Sequence, residues 1–358
     1  MQASGRDVPL PDPAYPGDYL KTLAADLLND LGEKLGSKEK SEVITQLAPE
    51  SLSRIIGGIR HTLERLGVFY DQWFHESRLL SSGRFDQVMD FLRGSNLIVD
   101  RDGAQWFAAT KLGLDEDIVV IRSGDADPTY FATDIAYHHE KFMERKFDRV
   151  INVWGADHHG HIARMHAVLT AFGLDPDRLT IILNQIVNFK NEGESLKFSK
   201  RNNVIVTVEE LLDEVGSDAC RFTFLSRSPE SHMEFDLGLA KRQSSENPVY
   251  YVQYAHARMA SILRTAGEKG INFNSADLDL LVHPQELELI RKIIELPMIV
   301  ERSSERMEPH HLPHFAMELA KSLQRFYEHC RVVSSEKKDV EISKARLQLV
   351  EAAQIALK

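Results

Sequence analysis

Apolar positions along the chain repeat first at helical spacing, then as short strand-like runs, then at helical spacing again. Residues 17–30, GDYLKTLAADLLND, place their apolar side chains on one helical face. The polar stretch GEKLGSKEKSE follows, and helical sequence then continues to about residue 93. From Asn96 the pattern changes. LIVDRDGAQWFAATKL has β-rich flanks around Asp102-Gly103, a pair that tolerates positive φ, which predicts a hairpin. DIVVIRSGDADPTYFA predicts a second hairpin turning between Gly124 and Pro128.

Residues 128–225 alternate short apolar runs with amphipathic stretches. TYF reads as a strand, and TDIAYHHEKFMERKF as a helix capped by Thr133. RVINVW is a buried strand, HIARMHAVLTAFG a helix ended by Gly173, and LTIILNQIV another strand. KNEGESLKFSKRNN is a polar loop, and TVEELLDEVG a helix capped by Thr207 and stopped by Gly216. This alternation predicts a parallel, Rossmann-like sheet with right-handed crossovers. From Ser244 the chain is helical. Asn247-Pro248 opens the first helix, and three further stretches fall at about 284–302, 309–332 and 340–357. The expected fold is therefore α/β, with an all-α helical bundle after it. Residues 1–236 hold an insertion of helices and strands at about 30–127 and the sheet core at 128–225. Residues 237–358 form the bundle.

Composition narrows the class without naming a chemistry. A chain of 358 residues, 43% hydrophobic and 27% charged, is ordinary for a soluble globular protein. It has no apolar run of membrane-spanning length, and MQASGRDVPLP lacks the basic-then-apolar layout of a secretion signal. Cys220 and Cys330 lie far apart and outside any CxxC pair, so a disulfide framework or zinc ribbon is not expected and a reducing cytoplasm is. The net charge of −11 is concentrated before residue 241. The nearly neutral C-terminal third is thus the part more open to a polyanion.

Ligands of open parallel sheets bind beyond the carboxyl ends of the strands. Three loops meet there, carrying Tyr130 and Asp134, then Asp157 to His161, then Lys197 to Arg201. The cations of KFSKR suit a phosphate chain, although the same residues would serve as a solvated surface loop. Tyr130 and Asp134 share a helical face. A carboxylate there either meets a cation such as a guanidinium or stabilises its own helix N-terminus. In GADHHGHIARMH, neighbouring histidines diverge, and His161 and His166 are five apart, so a metal is not expected. His159 and His166 are expected to be structural.

Several separated motifs resemble one family. SLKFSKRNNVIVTVEELLDEVGSDACRF is similar to the KMSKS-type loop and following helix of class I aminoacyl-tRNA synthetases. TYFATDIAYHHEKF, VINVWGADHHGHIARM, EFDLGLA and NPVYYVQYAHARM, in that order, resemble bacterial arginyl-tRNA synthetases, and YPGDYL and YDQWFHES upstream fit as well. The resemblance covers about residues 15–358. It implies ATP-dependent activation of L-arginine, with Mg2+ as the counter-ion of ATP, and transfer of the arginyl group to tRNA-Arg. Lys197, Ser199, Lys200 and Arg201 would hold the phosphates, with Lys197 and Lys200 catalytic and Phe198 replacing the usual methionine. Tyr130, Asp134 and His158 would hold arginine. The helical domain would grip the anticodon arm, with Tyr250, Tyr251 and Tyr254 stacking on bases or packing between helices. A cytoplasmic monomer with no membrane association and no protein-bound structural metal is implied for the intact enzyme.

HHGH is like the HIGH signature of these enzymes but stands where the family has its amino-acid pocket. HIGH itself, with the first strand of what is therefore a partial Rossmann-like core, is expected before residue 1. The family's extreme C-terminus is expected after Lys358. A fragment unable to activate arginine alone follows from that. Two other functions compete: a non-catalytic tRNA-binding module, and a DHH-type phosphoesterase using Asp157 and His158 with manganese.

Overall fold

A computed structural model describes residues 18–35, 40–124, 127–191, 194–196, 207–334 and 336–358. The chain divides into two compact units. One takes residues 70–187 and 229–233; the other takes residues up to 69, 188–228 and 234–358. In chain order the elements begin with α1 (Asp18–Leu35), α2 (Lys40–Arg65), α3 (Ser77–Ser81) and α4 (Arg84–Gly94). Strands β1 (Ile98–Arg101), β2 (Ala104–Phe107) and β3 (Ile118–Ile121) follow, then α5 (Tyr130–His139), β4 (Val150–Gly155), α6 (Ile162–Ala171) and β5 (Leu179–Asn184). Next come β6 (Val187–Asn191), β7 (Glu194–Leu196), α7 (Val208–Leu225), β8 (Met233–Asp236) and α8 (Leu237–Lys241). Five helices finish the chain: α9 (Pro248–Glu268), α10 (Pro284–Ile294), α11 (Leu296–Arg306), α12 (His311–His329) and α13 (Val340–Leu357).

In the α/β unit, β1 and β2 form the expected hairpin, with Ile98 opposite Phe107 and Arg101 opposite Ala104. Asp102 and Gly103 both take positive φ (55° and 73°), as a two-residue turn matched to strand twist requires. The second hairpin is not formed. Strand β3 instead joins β2 antiparallel, and only a single bridge links Ile121 to Pro128. TYF is not a strand either. Thr129, not Thr133, is the N-cap, its side chain accepting from the Ala132 amide, and the helix begins at Tyr130. Packing explains the change: Phe131, Ala132, Ile135 and Ala136 are all buried, a helical repeat that a strand beginning at Thr129 would break.

Strands β4 and β5 pair in parallel from Val150–Leu179 to Gly155–Asn184, with α6 as their crossover. Asn184 ends β5, and the rest of LTIILNQIV passes into β6 of a three-stranded sheet ordered β7-β6-β8. Phe107, Ile135, Met165 and Leu169 are fully buried at the centre of the unit. Each such side chain contributes roughly 1.5–3 kcal/mol on burial.

In the other unit, Thr207 and Glu210 form a reciprocal capping box at the start of α7. Gly216 kinks α7 rather than ending it, taking φ 78° and ψ 167° before the helix resumes. Asn247 caps α9 ahead of Pro248, as expected. The stretch 284–302 divides into α10 and α11 because Pro297 has no amide hydrogen to continue a helix through it, whereas the first turn of a new one tolerates it. Met259, Leu289, Leu319, Phe326 and Leu347 form this unit's core. The structure is thus a mixed α/β region with parallel and antiparallel sheets, followed by an all-helical bundle. Among the described residues no helix is long and apolar enough to cross a membrane. Cys220 and Cys330 are free and buried, and burial pushes the Cys220 thiol up to about 11, away from reactivity at neutral pH.

Candidate active site

Helix α5 brings Tyr130, Thr133, Asp134 and Tyr137 onto one face, at spacings of three, four and seven residues. That face borders a cavity of about 510 Å³ inside the α/β unit. Phe74 and Glu76, just before α3, form a second wall. Trp154, at the end of β4, and His158 and His161, on the 3-10 turn Ala156–His161, form a third. Phe74 and Tyr137 stack with centroids 4.2 Å apart and planes within 11°. The Arg145 guanidinium lies over both rings, and the Lys141 ammonium lies 4.2 Å over Tyr137. Cations therefore pack against the aromatic pair.

Two carboxylates enter this cavity. Glu76 accepts a hydrogen bond from the Thr133 hydroxyl. Asp134 is half-buried, and burial is the main cause that pushes its carboxyl up to about 6. The Glu76 charge acts in the same direction, while Lys141 and His158 oppose it. A half-buried carboxylate beside a second one, with aromatic walls around both, is arranged to receive a cation. A planar guanidinium fits well, since it stays charged, donates several hydrogen bonds and stacks on rings. Tyr130 also lines the cavity and is 86% exposed.

Of the residues singled out from sequence, Tyr130, Asp134 and His158 line this one pocket. Lys197, Ser199, Lys200 and Arg201 lie outside the described residues. In the other unit Tyr251 packs against the helical core, whereas Tyr254 is exposed and stacks with Tyr250 at 6.3 Å. Arg258 sits 3.8 Å over Tyr327 and 5.9 Å from Tyr254. Of the two histidines expected to be structural, His159 is exposed and His166 half-buried. Asp157 lies 3.9 Å from His158, and the two belong to no group of three ligands among the described residues. The group of three that does occur there joins Glu308, His310 and His311 in the helical unit.

Sequence reasoning missed Glu76, Asn152, His138 and Lys141. Glu76 stands in YDQWFHES, but nothing local says that it meets a residue 57 positions later. His138 is buried with its ring lowered to about 4, chiefly by desolvation.

Comparison with known proteins identifies the two regions separately. The model of the tRNA synthetases class I (R) catalytic domain matches residues 33–225, and that of the DALR anticodon binding domain matches residues 252–358. An arginine–tRNA ligase of Dehalococcoides mccartyi (strain CBDB1) is 49% identical over 357 residues, and one of Heliobacterium modesticaldum is 47% identical over 365. Each alignment takes in 100% of this chain, which spans 64% of the length of those relatives. Among solved structures, a Campylobacter jejuni protein assigned as an arginyl-tRNA synthetase superposes with a TM-score of 0.86 at 29% identity, over 99% of this chain and 77% of that one. The Thermus thermophilus arginyl-tRNA synthetase, at 22% identity and a TM-score of 0.72 over 94% of this chain and 66% of that one, shares the fold. With more than half of its length matched by the catalytic-domain model, the chain belongs to the class I tRNA synthetases of the arginyl type.

Proposed function

We propose that this chain supplies the amino-acid pocket and the tRNA-binding helices of an arginine–tRNA ligase. The observation that carries this is the placement of Asp134, half-buried beside Glu76, in an aromatic-walled cavity that exposed Tyr130 also lines. Asp134 and Glu76 take the two edges of the guanidinium, Tyr137 and Phe74 shape the floor, and His158 closes the side wall. The arginine carboxylate oxygen then attacks the α-phosphorus of ATP, and the bond to pyrophosphate breaks. A terminal ribose hydroxyl of tRNA-Arg next attacks the arginyl carbonyl and releases AMP.

The sequence motif supports Lys197, Ser199, Lys200 and Arg201 as the groups that meet the phosphates, with Mg2+ accompanying ATP. Donors of this kind typically supply roughly 3–4 kcal/mol at the transition state. On the helical side, exposed Tyr254 and its neighbour Tyr250 suit stacking on bases, while Tyr251 is left to packing. The test is calorimetric titration of the chain with L-arginine and with L-citrulline, which keeps the shape and removes the charge. Arginine binds and citrulline binds at least tenfold more weakly; Asp134→Ala removes the preference. Equal affinity for the two ligands contradicts the assignment.

A further inference from the structure

Asp134 makes no side-chain hydrogen bond among the described residues, so what the fold fixes is the backbone from which its Cα–Cβ bond projects toward the cavity. That backbone is held from behind. His138 is 1% exposed, and its Nδ1 lies 2.8 Å from the Asp134 carbonyl oxygen. Its Nε2 lies 2.8 Å from Nδ2 of buried Asn152, in the middle of β4. Oδ1 of Asn152 accepts from the Lys141 Nζ at 3.0 Å.

The ends of this chain fix the direction of every link. A carbonyl only accepts, so Nδ1 carries the imidazole proton and Nε2 must accept. Asn152 therefore turns its amide N–H toward the ring, which leaves its oxygen for Lys141. Either protonation state of Lys141 can donate that bond. A second proton on His138 would face the Asn152 amide N–H, and flipping the amide would turn that N–H toward Lys141. With Lys141 protonated, and so able only to donate, one arrangement alone satisfies all four groups. A π turn over Glu140–Glu144, closed by the Arg145 amide on the Glu140 carbonyl at 2.9 Å, follows directly. It carries Lys141 and is closed by Arg145, both of which also lie over the Tyr137 ring. Turns of this kind recur beside functional sites.

We propose that His138 is a positioning residue for the ligand pocket: a neutral, Nδ1-protonated imidazole, oriented by Asn152 and Lys141, that fixes the backbone point from which Asp134 reaches into the cavity. The proposal rests on the arginine-binding function above. An imidazole that merely fills the core would affect folding but not the preference for a charged ligand, because partial unfolding weakens every ligand by the same factor.

The test is the ratio of L-arginine to L-citrulline affinity, measured calorimetrically on the full chain beside its thermal midpoint. His138→Phe keeps a ring but no polar atom, and Asn152→Leu removes the orienting amide; each lowers the ratio at least tenfold. His138→Asn keeps a donor near the Nδ1 position and restores the ratio to within about threefold of the unaltered chain. Should His138→Phe not fold, Asn152→Leu and His138→Asn still decide. Unchanged ratios in folded His138→Phe or Asn152→Leu overturn this role and leave the pocket assignment intact. Absence of arginine preference in the unaltered chain overturns both.

Discussion

At the scale of single residues, Asp134 links function to stability. Its carboxyl is raised from 3.8 to about 6 in the folded chain, so between those values the folded state holds the proton more tightly than the unfolded state. The associated stability is fully present below 3.8 and is lost as pH rises through about 6. At neutral pH the ionised carboxyl therefore costs stability, and under the proposed function a bound guanidinium would offset that cost. Because that ligand needs the ionised carboxylate, arginine affinity rises with pH, by about tenfold between pH 5 and pH 7 for one such group. Calorimetry across that range checks this, and a flat profile refutes it. Glu76, Lys141 and His158 also act on Asp134. Asp134→Asn is the control and should remove most of the slope. Glu76→Gln should move the midpoint to lower pH, since the Glu76 charge raises it. Tyr130, Asp134 and His158 could be found in sequence because each stands in a local motif at the end of a strand or the start of a helix. Glu76 and Asn152 could not, because their partners are set by tertiary packing across 57 and 14 residues.

At the scale of elements, local chemistry was legible where one residue type dictates the backbone and obscure where packing decides. Asp102-Gly103, Thr207 with Glu210, and Asn247-Pro248 act as their types require. TYF was misleading: three residues of β-type composition take their state from a capping hydroxyl and the helical burial that follows. Glycines give the test. Gly103 has φ 73°, and a Cβ there would meet the Ser123 hydroxyl at 2.8 Å. Gly103→Ala should destabilise by about 1–2 kcal/mol. Gly58 lies inside α2 with nothing within 4 Å of its would-be Cβ, so Gly58→Ala should stabilise by about 0.5–1 kcal/mol. Shifts of opposite sign in the urea midpoint confirm the pair; a shared sign contradicts it. Removing the capping hydroxyl of α7 in Thr207→Ala should cost about 1 kcal/mol.

At the scale of the whole molecule, each compact unit is assembled from stretches that are not consecutive in the chain, so a linear hydropathy pattern cannot delimit it. The helical unit contains an ion pair that no pattern announces. Glu286, on α10, has a side chain 1% exposed; one carboxylate oxygen accepts from Arg346 Nε at 2.7 Å and the other from the His283 amide at 2.8 Å. Arg346, on α13, also donates to the Arg331 carbonyl at 2.9 Å. Taking away the arginine alone strands a carboxylate among apolar side chains, which typically costs about 3–5 kcal/mol, whereas replacing both partners by apolar groups is often close to neutral. Arg346→Leu should accordingly lower the urea midpoint sharply, and Glu286→Leu combined with it should recover most of the loss, less the His283 hydrogen bond of about 1 kcal/mol. All the side chains that line the proposed arginine pocket belong to the other unit. Arginine affinity in the folded Arg346→Leu chain should then stay within about twofold of the unaltered value, because a stability loss of this kind leaves the ligand's own contacts in place. A tenfold fall in affinity without unfolding would show that the pocket depends on the helical unit and would end the assignment of these roles to separate parts of the chain.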